Sequence, residues 1–412
     1  MTESRGVVSS ILGGIWRGIT LVRVSLSNLI FLLLVVLILA ALGSGAPPPL
    51  RDNTALLLNP SGVVVEELSY RDPVEVFLGA QDGAEREVLL ADVLDAIALA
   101  RDDASISALV MNLDGLRYVG ITKSLEIGAA LEAFKGSGKP VIAVADYISQ
   151  DQYLLTSFAD EILLNRHGGL FLEGYSSYRN YFKDALDKLR VDMHVFVAGT
   201  NKDAVEPLLS NQMSASNREI NLGWLTALWQ QYTGAVEGNR NLADGSVDAY
   251  IAAYDANSRS AGGDFGTMAL NASLVDKLLT RSEMNHQLID IVGASDEDGY
   301  FRAVDYQQYL GRNGFHLNDD DPAQQVGVVV ARGVILDGEQ PAGRIGGDTL
   351  AGLIRDARRD DSIAALVIRI DSGGGSAFAS ELVRQEILNA QAAGIPVVAS
   401  MGAVAEIGRA HV

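Results

Sequence analysis

A glycine-rich turn is the first segment whose residue types and spacing could do chemistry. Asp371-Ser372-Gly373-Gly374-Gly375-Ser376 follows the apolar run Leu366–Ile370 and precedes a helical pattern from about Phe378 to Ala393. Glycines at a strand-to-helix turn can leave backbone N–H groups free to face a ligand or an oxyanion. A tight turn with Ser376 or a neighbour as the helix N-cap is the simpler alternative, and the pattern alone favours it.

A lysine at the end of a short apolar run is the second candidate. Gly199-Thr200-Asn201-Lys202 follows Val195–Ala198, and a helix is expected to begin near Ala204. A desolvated lysine can act as a general base, because burial favours the neutral amine. Most lysines are solvated, so the local sequence alone favours an ordinary surface residue.

Other kinds of site are disfavoured by composition and spacing. The chain has 412 residues, no cysteine and a net charge of -20, so a thiol nucleophile and thiolate metal sites are excluded and nucleic-acid binding is disfavoured. None of the five histidines stands at metal-ligand spacing, and no Gly-x-Ser-x-Gly elbow occurs. We therefore assign no metal and no cofactor.

Alternating strands and helices must position these residues. Buried-strand runs at Ala108–Leu113 and Pro140–Val144 alternate with helical patterns at Leu89–Ala100 and Ile121–Phe134. This order predicts an α/β fold in which helices pack on a parallel sheet.

The chain also repeats itself. Ala100–Asp114 matches Ala357–Asp371 at an offset of 257 residues, with about nine of fifteen positions identical. The period is too long for a solenoid and indicates a duplicated domain. We expect a first domain over residues 61–321 and an incomplete second domain over 326–405.

The N-terminus predicts a membrane anchor. Every residue from Leu29 to Leu42 is apolar, and a span over residues 26–46 is long enough to cross a bilayer. Arg5, Arg17 and Arg23 precede it, so residues 1–25 are expected to be cytoplasmic and the body exported. A cleaved signal peptide is the alternative, and the length of the span favours an uncleaved anchor. Residues 47–60 then form a linker.

Four segments carry a resemblance to a known family. They are Val195–Pro207, which contains the lysine, and three segments of the second copy: Gly346–Thr349, Asp371–Ser376 and Pro396–Gly402. With the anchor, they resemble the long, duplicated form of the SppA-type signal peptide peptidases, which are membrane-anchored serine proteases of bacteria. The match covers nearly the whole chain, and the lysine-containing segment is its most specific part.

The resemblance implies a fold and a mechanism. The fold is related to ClpP and crotonase, and a lysine of the first copy activates a serine of the second. Lys202 stands at the lysine position, as general base and then general acid. Gly374 or Gly375 would donate to the oxyanion or hold the substrate. The family needs no cofactor.

The resemblance also implies a setting for the protein. Its members are homotetramers in the bacterial inner membrane, with a cytoplasmic N-terminus and a periplasmic body. They degrade signal peptides that have been cleaved and left in the membrane. An apolar peptide in extended form is therefore the expected substrate, bound along strand edges.

The sequence departs from the family at two places. The family turn reads Asn-Ser-Pro-Gly-Gly, whereas Asp371 and Gly373 stand here in place of Asn and Pro. The position of the nucleophilic serine is Ile407, so we expect this chain to be catalytically inactive. Residues 406–412 also match one reading frame of a common sequencing adapter, and we expect them to be an artefact.

Two alternatives come from other functional classes. One is a noncatalytic, membrane-anchored scaffold of the same fold, in which Ile407 is native. The other is a crotonase-like acyl-CoA enzyme. The anchor and the lack of an identifiable cofactor motif disfavour the second alternative.

Overall fold

The computed structural model describes residues 4–43, 50–72, 85–195, 205–296, 299–313 and 324–405. It divides into two compact units, Met1–Leu50 and Arg51–Val412.

The first unit contains one helix, α1, Ser4–Gly43. Its segment Gly18–Leu37 has a mean hydropathy of 2.3 and no buried part, so by length and composition it could cross a membrane. This segment overlaps the predicted span 26–46 over residues 26–37, and residues 44–46 lie outside the described part of the chain. The helix also extends from Ser4 through the segment predicted as a cytoplasmic tail.

The second unit alternates strands and helices. Its strands are β1 Thr54–Leu58, β2 Gly62–Val65, β3 Glu87–Leu89, β4 Ile106–Asn112, β5 Leu116–Tyr118, β6 Val141–Ile148, β7 Glu161–Leu170, β8 Lys277–Leu279, β9 Ala303–Asp305, β10 Gln325–Arg332, β11 Ile335–Leu336, β12 Ile345–Gly346, β13 Ile363–Ser372 and β14 Val397–Ala405. Its helices are α2 Leu90–Asp102, α3 Ile121–Lys135, α4 Gln150–Thr156, α5 Lys183–Lys188, α6 Glu206–Leu209, α7 Ala215–Asn239, α8 Ser246–Ala252, α9 Tyr254–Ser260, α10 Phe265–Asn271, α11 Arg281–Val292, α12 Tyr306–Asn313, α13 Gly347–Arg359 and α14 Ala377–Ala392.

The largest sheet has six parallel strands in the order β8-β7-β6-β4-β1-β9. On one face of it, Val110 and Ile142 belong to a buried cluster with Met284 and Leu288 of α11. The predicted α/β architecture with parallel sheets is confirmed.

One predicted boundary is wrong. The sequence predicts a linker over residues 47–60, yet Thr54–Leu58 is strand β1 and pairs with both β4 and β9 inside the six-stranded sheet. Ala55, Leu56 and Leu58 are almost fully buried. The apolar run Ala55–Leu58 is only four residues long, so its neighbours in the sheet, rather than its sequence, determine its conformation.

The second copy begins with the same strand frame. Strands β10, β13 and β14 form a parallel sheet in that order, as β1, β4 and β6 do in the first copy. Val326 pairs with Ala365 as Ala55 pairs with Ala108, and Ala365 follows Ala108 at the repeat offset of 257 residues. Its own buried cluster includes Ile354, Leu366 and Ile368.

Charged side chains join the two copies. Arg332, at the end of β10, donates to Glu87 at 2.8 Å and to the Glu67 carbonyl oxygen at 2.8 Å. Arg369, on β13, donates to Glu66 at 2.8 Å and also to Glu126 on α3. We call these contacts the ionic seam. It fixes β10 and β13 of the second copy against the β2–β3 edge and α3 of the first.

Helix α3 packs so closely against Phe158 that there is no room for a side chain at Gly128. A Cβ at Gly128 would lie 2.3 Å from Cζ of Phe158. We expect Gly128→Ala to lower the free energy of unfolding by about 1–3 kcal/mol through overpacking, as measured by chemical denaturation. Gly234→Ala in α7 is the matched control. A Cβ there meets nothing within 4 Å, so it should raise stability by up to about 1 kcal/mol through helix propensity. Equal stabilities of the two variants would contradict this packing.

The ionic seam should make stability depend on pH. Burial would raise the pKa of Glu87, but hydrogen bonds from Ser69 and the Arg332 guanidinium outweigh it and hold the pKa below its ordinary 4.5. The stabilisation from ionised Glu87 is therefore fully present above pH 4.5 and is lost as the pH falls through the lowered value.

We expect Glu87→Gln to be less stable than the wild type at pH 7, with the difference shrinking as the pH falls below 4.5. Denaturant melts across that range measure it. Glu132→Gln removes an exposed partner of Lys135 and serves as the control, with little effect expected at any pH. A Glu87→Gln deficit that does not change with pH would refute the assignment.

Candidate functional site

The glycine-rich turn lies where the sequence predicts, between the end of β13 and the start of α14. Ser376 is the N-cap of α14, and its hydroxyl accepts a hydrogen bond from Ala379 N–H at 3.2 Å. Gly374 has a φ of 91°, a left-handed conformation that favours glycine. The structure therefore contains the helix cap of the simpler alternative together with a glycine-dependent turn.

Hydrogen bonds to the β10–β11 connection hold this turn. The Ser372 hydroxyl donates to the Gly333 carbonyl oxygen at 2.6 Å. Ile335 N–H donates to the Gly374 carbonyl oxygen at 3.1 Å, and Ser376 N–H donates to the Ile335 carbonyl oxygen at 2.9 Å. The backbones approach so closely that a Cβ at Gly375 would lie 2.1 Å from the Ile335 oxygen. Glycine is required there for steric reasons.

The two predicted oxyanion donors differ in their hydrogen bonding. Gly374 N–H donates to the Ser372 hydroxyl at 3.1 Å, so it is already engaged. Gly375 N–H has no hydrogen-bond partner among the described residues, and Gly375 is exposed. Gly375 is thus the donor that a bound carbonyl oxygen could use without breaking an existing bond.

A buried ion pair lies directly before the turn. Lys123, in the first turn of α3, donates from Nζ to Asp371 Oδ2 at 2.9 Å. Their side chains are only 2% and 14% exposed. A cation in the first turn of a helix opposes the helix dipole, so the carboxylate of Asp371 compensates an otherwise unfavourable placement.

Asp371 also holds the last strand of the second copy. Its Oδ1 accepts a hydrogen bond from Val404 N–H at 3.0 Å, and Val404 is the second-last residue of β14. The N-cap of α3 reaches the same strand, since a Cβ at Gly120 would lie 2.9 Å from Cβ of Ala403. The first copy therefore contacts both the turn and the end of β14.

A cavity of about 340 Å³ opens beside this ion pair. Its walls are mostly apolar and come from both copies, with Val63–Val65 and Tyr118 on one side and Val334 and Val404 on the other. Tyr118 is partly exposed, yet partial desolvation, and after it the negative charges of Asp151 and Asp371, raises its pKa above the ordinary value. The cavity could accept an apolar side chain next to the turn.

Two of the predicted site residues fall outside the described part of the chain. Lys202 lies in residues 196–204, and Ile407 lies in residues 406–412. The helix expected near Ala204 appears as α6, whose N-cap is Val205. The roles of Lys202 and Ile407 therefore stay predictions from the sequence.

The first copy has a different cleft at the equivalent position. Asp114, the repeat counterpart of Asp371, lies at a cleft of about 690 Å³ together with Asp146, Asp151 and Glu173. Although Asp114 is an exposed residue, partial desolvation in the cleft raises the pKa of its carboxyl group, and the nearby Asp146 carboxylate raises it further. The first copy has no glycine run there, so the two copies have diverged where the repeat would place two similar sites.

A metal site is not apparent in the part of the chain that the structure describes. Within those residues, no group of three or more His, Asp or Glu side chains is arranged to hold a metal ion.

Sequence reasoning did not identify Lys123. It lies 248 residues from Asp371, and nothing near it in the sequence marks it as buried. One signal was available, because the change from the family's Asn to Asp371 introduces a charge that needs a partner. Sequence alone could not show which of the lysines and arginines supplies it.

Comparison with known proteins agrees with the resemblance. Residues 133–293 match peptidase family S49. The chain is 38% identical over 400 residues to Protease 4 of Salmonella typhi, covering 95% of this chain and 64% of that protein. It is 37% identical over 401 residues to Protease 4 of Haemophilus influenzae, covering 95% and 65%. The chain thus spans slightly less than two thirds of the length of either relative.

Solved structures add little beyond this. An enoyl-CoA hydratase/isomerase family protein from Silicibacter pomeroyi matches with a TM-score of 0.26 and 14% identity, over 50% of this chain and 69% of that one. Likeness at this level does not define the fold beyond the α/β architecture described above. The sequence matches are far more specific. Residues 133–293 match peptidase family S49 and the chain is similar to Protease 4 over nearly its whole length, which confirms the predicted relationship to the SppA-type proteases.

Proposed function

We propose that the protein is a membrane-anchored serine endopeptidase with a Ser–Lys dyad. The observation that carries the proposal is the glycine turn, in which Gly375 is exposed and its N–H is unpaired within the described residues, while Ser372 of the same turn pairs with Ala405 of β14. The S49 match and the similarity to Protease 4 support it. A noncatalytic scaffold of the same fold would need this turn only as a connection, and Ile407 at the position of the nucleophile is the one feature that favours it.

The proposed reaction begins with Lys202 as a neutral amine. It takes the proton of a serine hydroxyl, and the serine oxygen attacks the scissile carbonyl carbon. The oxyanion that forms accepts a hydrogen bond from Gly375 N–H, with Gly374 shaping the turn. The lysine ammonium then protonates the leaving amine, and water hydrolyses the acyl-enzyme.

The nucleophile is not identified in this chain. Ile407 stands at the family's serine position, and an isoleucine side chain has no group that can attack a carbonyl. The chain as written should therefore be inactive, and activity belongs to a protein that has a serine there.

The proposed substrates are apolar peptides in extended form, such as cleaved signal peptides. The apolar cavity of about 340 Å³ beside the turn supports this choice. Helix α1 would place the body at a membrane, with the N-terminus cytoplasmic and the body periplasmic in the bacterial inner membrane. Assembly into homotetramers follows only from the family resemblance.

Lys202→Ala in the full-length protein tests the general base. We expect kcat for an apolar peptide to fall roughly 10²- to 10⁴-fold, because proton transfer from the serine loses its acceptor. Peptide hydrolysis at saturating substrate measures it. Lys188→Ala, which removes an exposed lysine of α5, is the control and should leave kcat unchanged. Undiminished turnover of Lys202→Ala would remove this lysine from the mechanism.

Gly375→Ala tests the turn. Its Cβ would meet the Ile335 oxygen at 2.1 Å, so the N–H must move, and we expect kcat to fall roughly 10²- to 10³-fold. Gly373→Ala is the matched control, because its Cβ meets only Val404 at 3.9 Å and kcat should change little. Thermal melts of both variants separate lost catalysis from lost folding. Similar kcat values for the two variants would show that Gly375 is not the donor.

A further inference from the structure

We propose that Lys123 is a positioning residue for catalysis, which through its buried ion pair with Asp371 fixes the oxyanion turn and the end of strand β14 relative to each other. This inference rests on the proposed function. It gives the first copy a second contribution to the site, separate from that of Lys202.

Lys123 is buried, and the side chain of Asp371 is largely shielded from solvent. Lys123 is 2% exposed and Asp371 14%, and their charged atoms are 2.9 Å apart. A buried charge that loses its partner is strongly unfavourable, so neither group can be replaced alone without local rearrangement. The pair therefore imposes one relative position on α3 and the end of β13.

The other contacts of Asp371 lead to β14 and to the turn. Oδ1 accepts from Val404 N–H at 3.0 Å, and the Asp371 carbonyl oxygen accepts from Gly333 N–H at 3.0 Å. The next residue, Ser372, accepts from Gly374 N–H. One carboxylate thus connects Lys123, β14 and the start of the glycine turn.

Strand β14 leads directly to the position of the nucleophile. The strand ends at Ala405, two residues before position 407, where the family serine would stand. A shift of the Val404 backbone would move that serine relative to Gly375 N–H. Misplacement of reacting groups by about 1 Å can cost roughly 100-fold in rate, so this link is expected to act on kcat.

Lys123 does not act on the substrate itself. Its Nζ is buried against Asp371 and is not the base, a role that belongs to Lys202. Arg332 and Arg369 also join the copies, but their side chains bond to carboxylates of the first copy and not to a residue of the turn. Lys123 is the cation that bonds to Asp371, the residue at which the glycine turn begins.

Lys123→Met in the full-length protein is the first test. We expect kcat to fall roughly 10- to 100-fold with KM little changed. The reason is that the turn and β14 are no longer bonded to α3 through Asp371, whereas the apolar cavity remains. Lys139→Met is the matched control. Lys139 is a partly buried lysine held by the carbonyl oxygens of Ala100, Arg101 and Asp103, so its loss should lower stability and leave kcat per folded molecule unchanged.

The double variant Lys123→Met/Asp371→Asn separates the lost bond from the unpaired charge. It leaves no unpaired buried charge, and an amide oxygen can still accept from Val404 N–H, so stability should recover while kcat stays low, because residue 371 is still not bonded to α3. A double variant with wild-type kcat would overturn the proposal, because the unpaired Asp371 charge, and not the lost bond, would then explain the effect of Lys123→Met. So would a Lys123→Met enzyme with wild-type kcat.

Amide hydrogen exchange tests the ion pair without relying on peptidase activity. In Lys123→Met, residues 371–376 and 397–405 should exchange roughly tenfold faster or more, while β4 and β7 of the first copy stay unchanged. Unchanged exchange in those two segments would overturn the proposal. A wild-type protein that hydrolyses no peptide would instead refute the proposed function. The exchange result would still test whether the Lys123–Asp371 ion pair holds the turn and β14.

Discussion

The buried contact between Lys123 and Asp371 joins the two copies at the place where geometry matters most. It connects the first turn of α3 to the residue that begins the glycine turn, and the same carboxylate holds Val404 on β14. A buried ion pair adds little net stability, because desolvation offsets most of the attraction, yet it tolerates few alternative arrangements. The contact therefore fixes the relative position of the two copies more than it adds to the stability of the protein.

The rest of the ionic seam can be understood in the same way. Arg332 and Arg369 each bind carboxylates of the first copy through side chains that are largely buried. An apolar interface could slide by small steps at little cost, since the hydrophobic effect is not directional. Guanidinium groups that bind carboxylates with defined geometry remove that freedom, so the second sheet has one position against the β2–β3 edge.

Local patterns predicted the elements and not their long-range partners. The apolar runs at Ala108–Leu113 and Pro140–Val144 are long enough to identify β4 and β6, and the repeat identified β13. Strand β1 was missed because its four apolar residues lie between a proline-rich segment and Asn59-Pro60, a setting typical of a linker. The ion pair of Lys123 was beyond reach, since its partner is 248 residues away and no local periodicity encodes such a distance.

The two copies differ most at one end of the three-stranded parallel frame that both contain. In both copies three parallel strands pair in the same register, so the frame alone does not distinguish them. After β4 the chain runs through Asp114-Gly115 into β5, which pairs with β2, whereas after β13 it forms the glycine turn against Ile335. In the first copy, the segment after β4 is therefore part of the edge that contacts the second copy. A site assembled at that edge needs both copies, which explains why a positioning residue can lie in one and the turn it positions in the other.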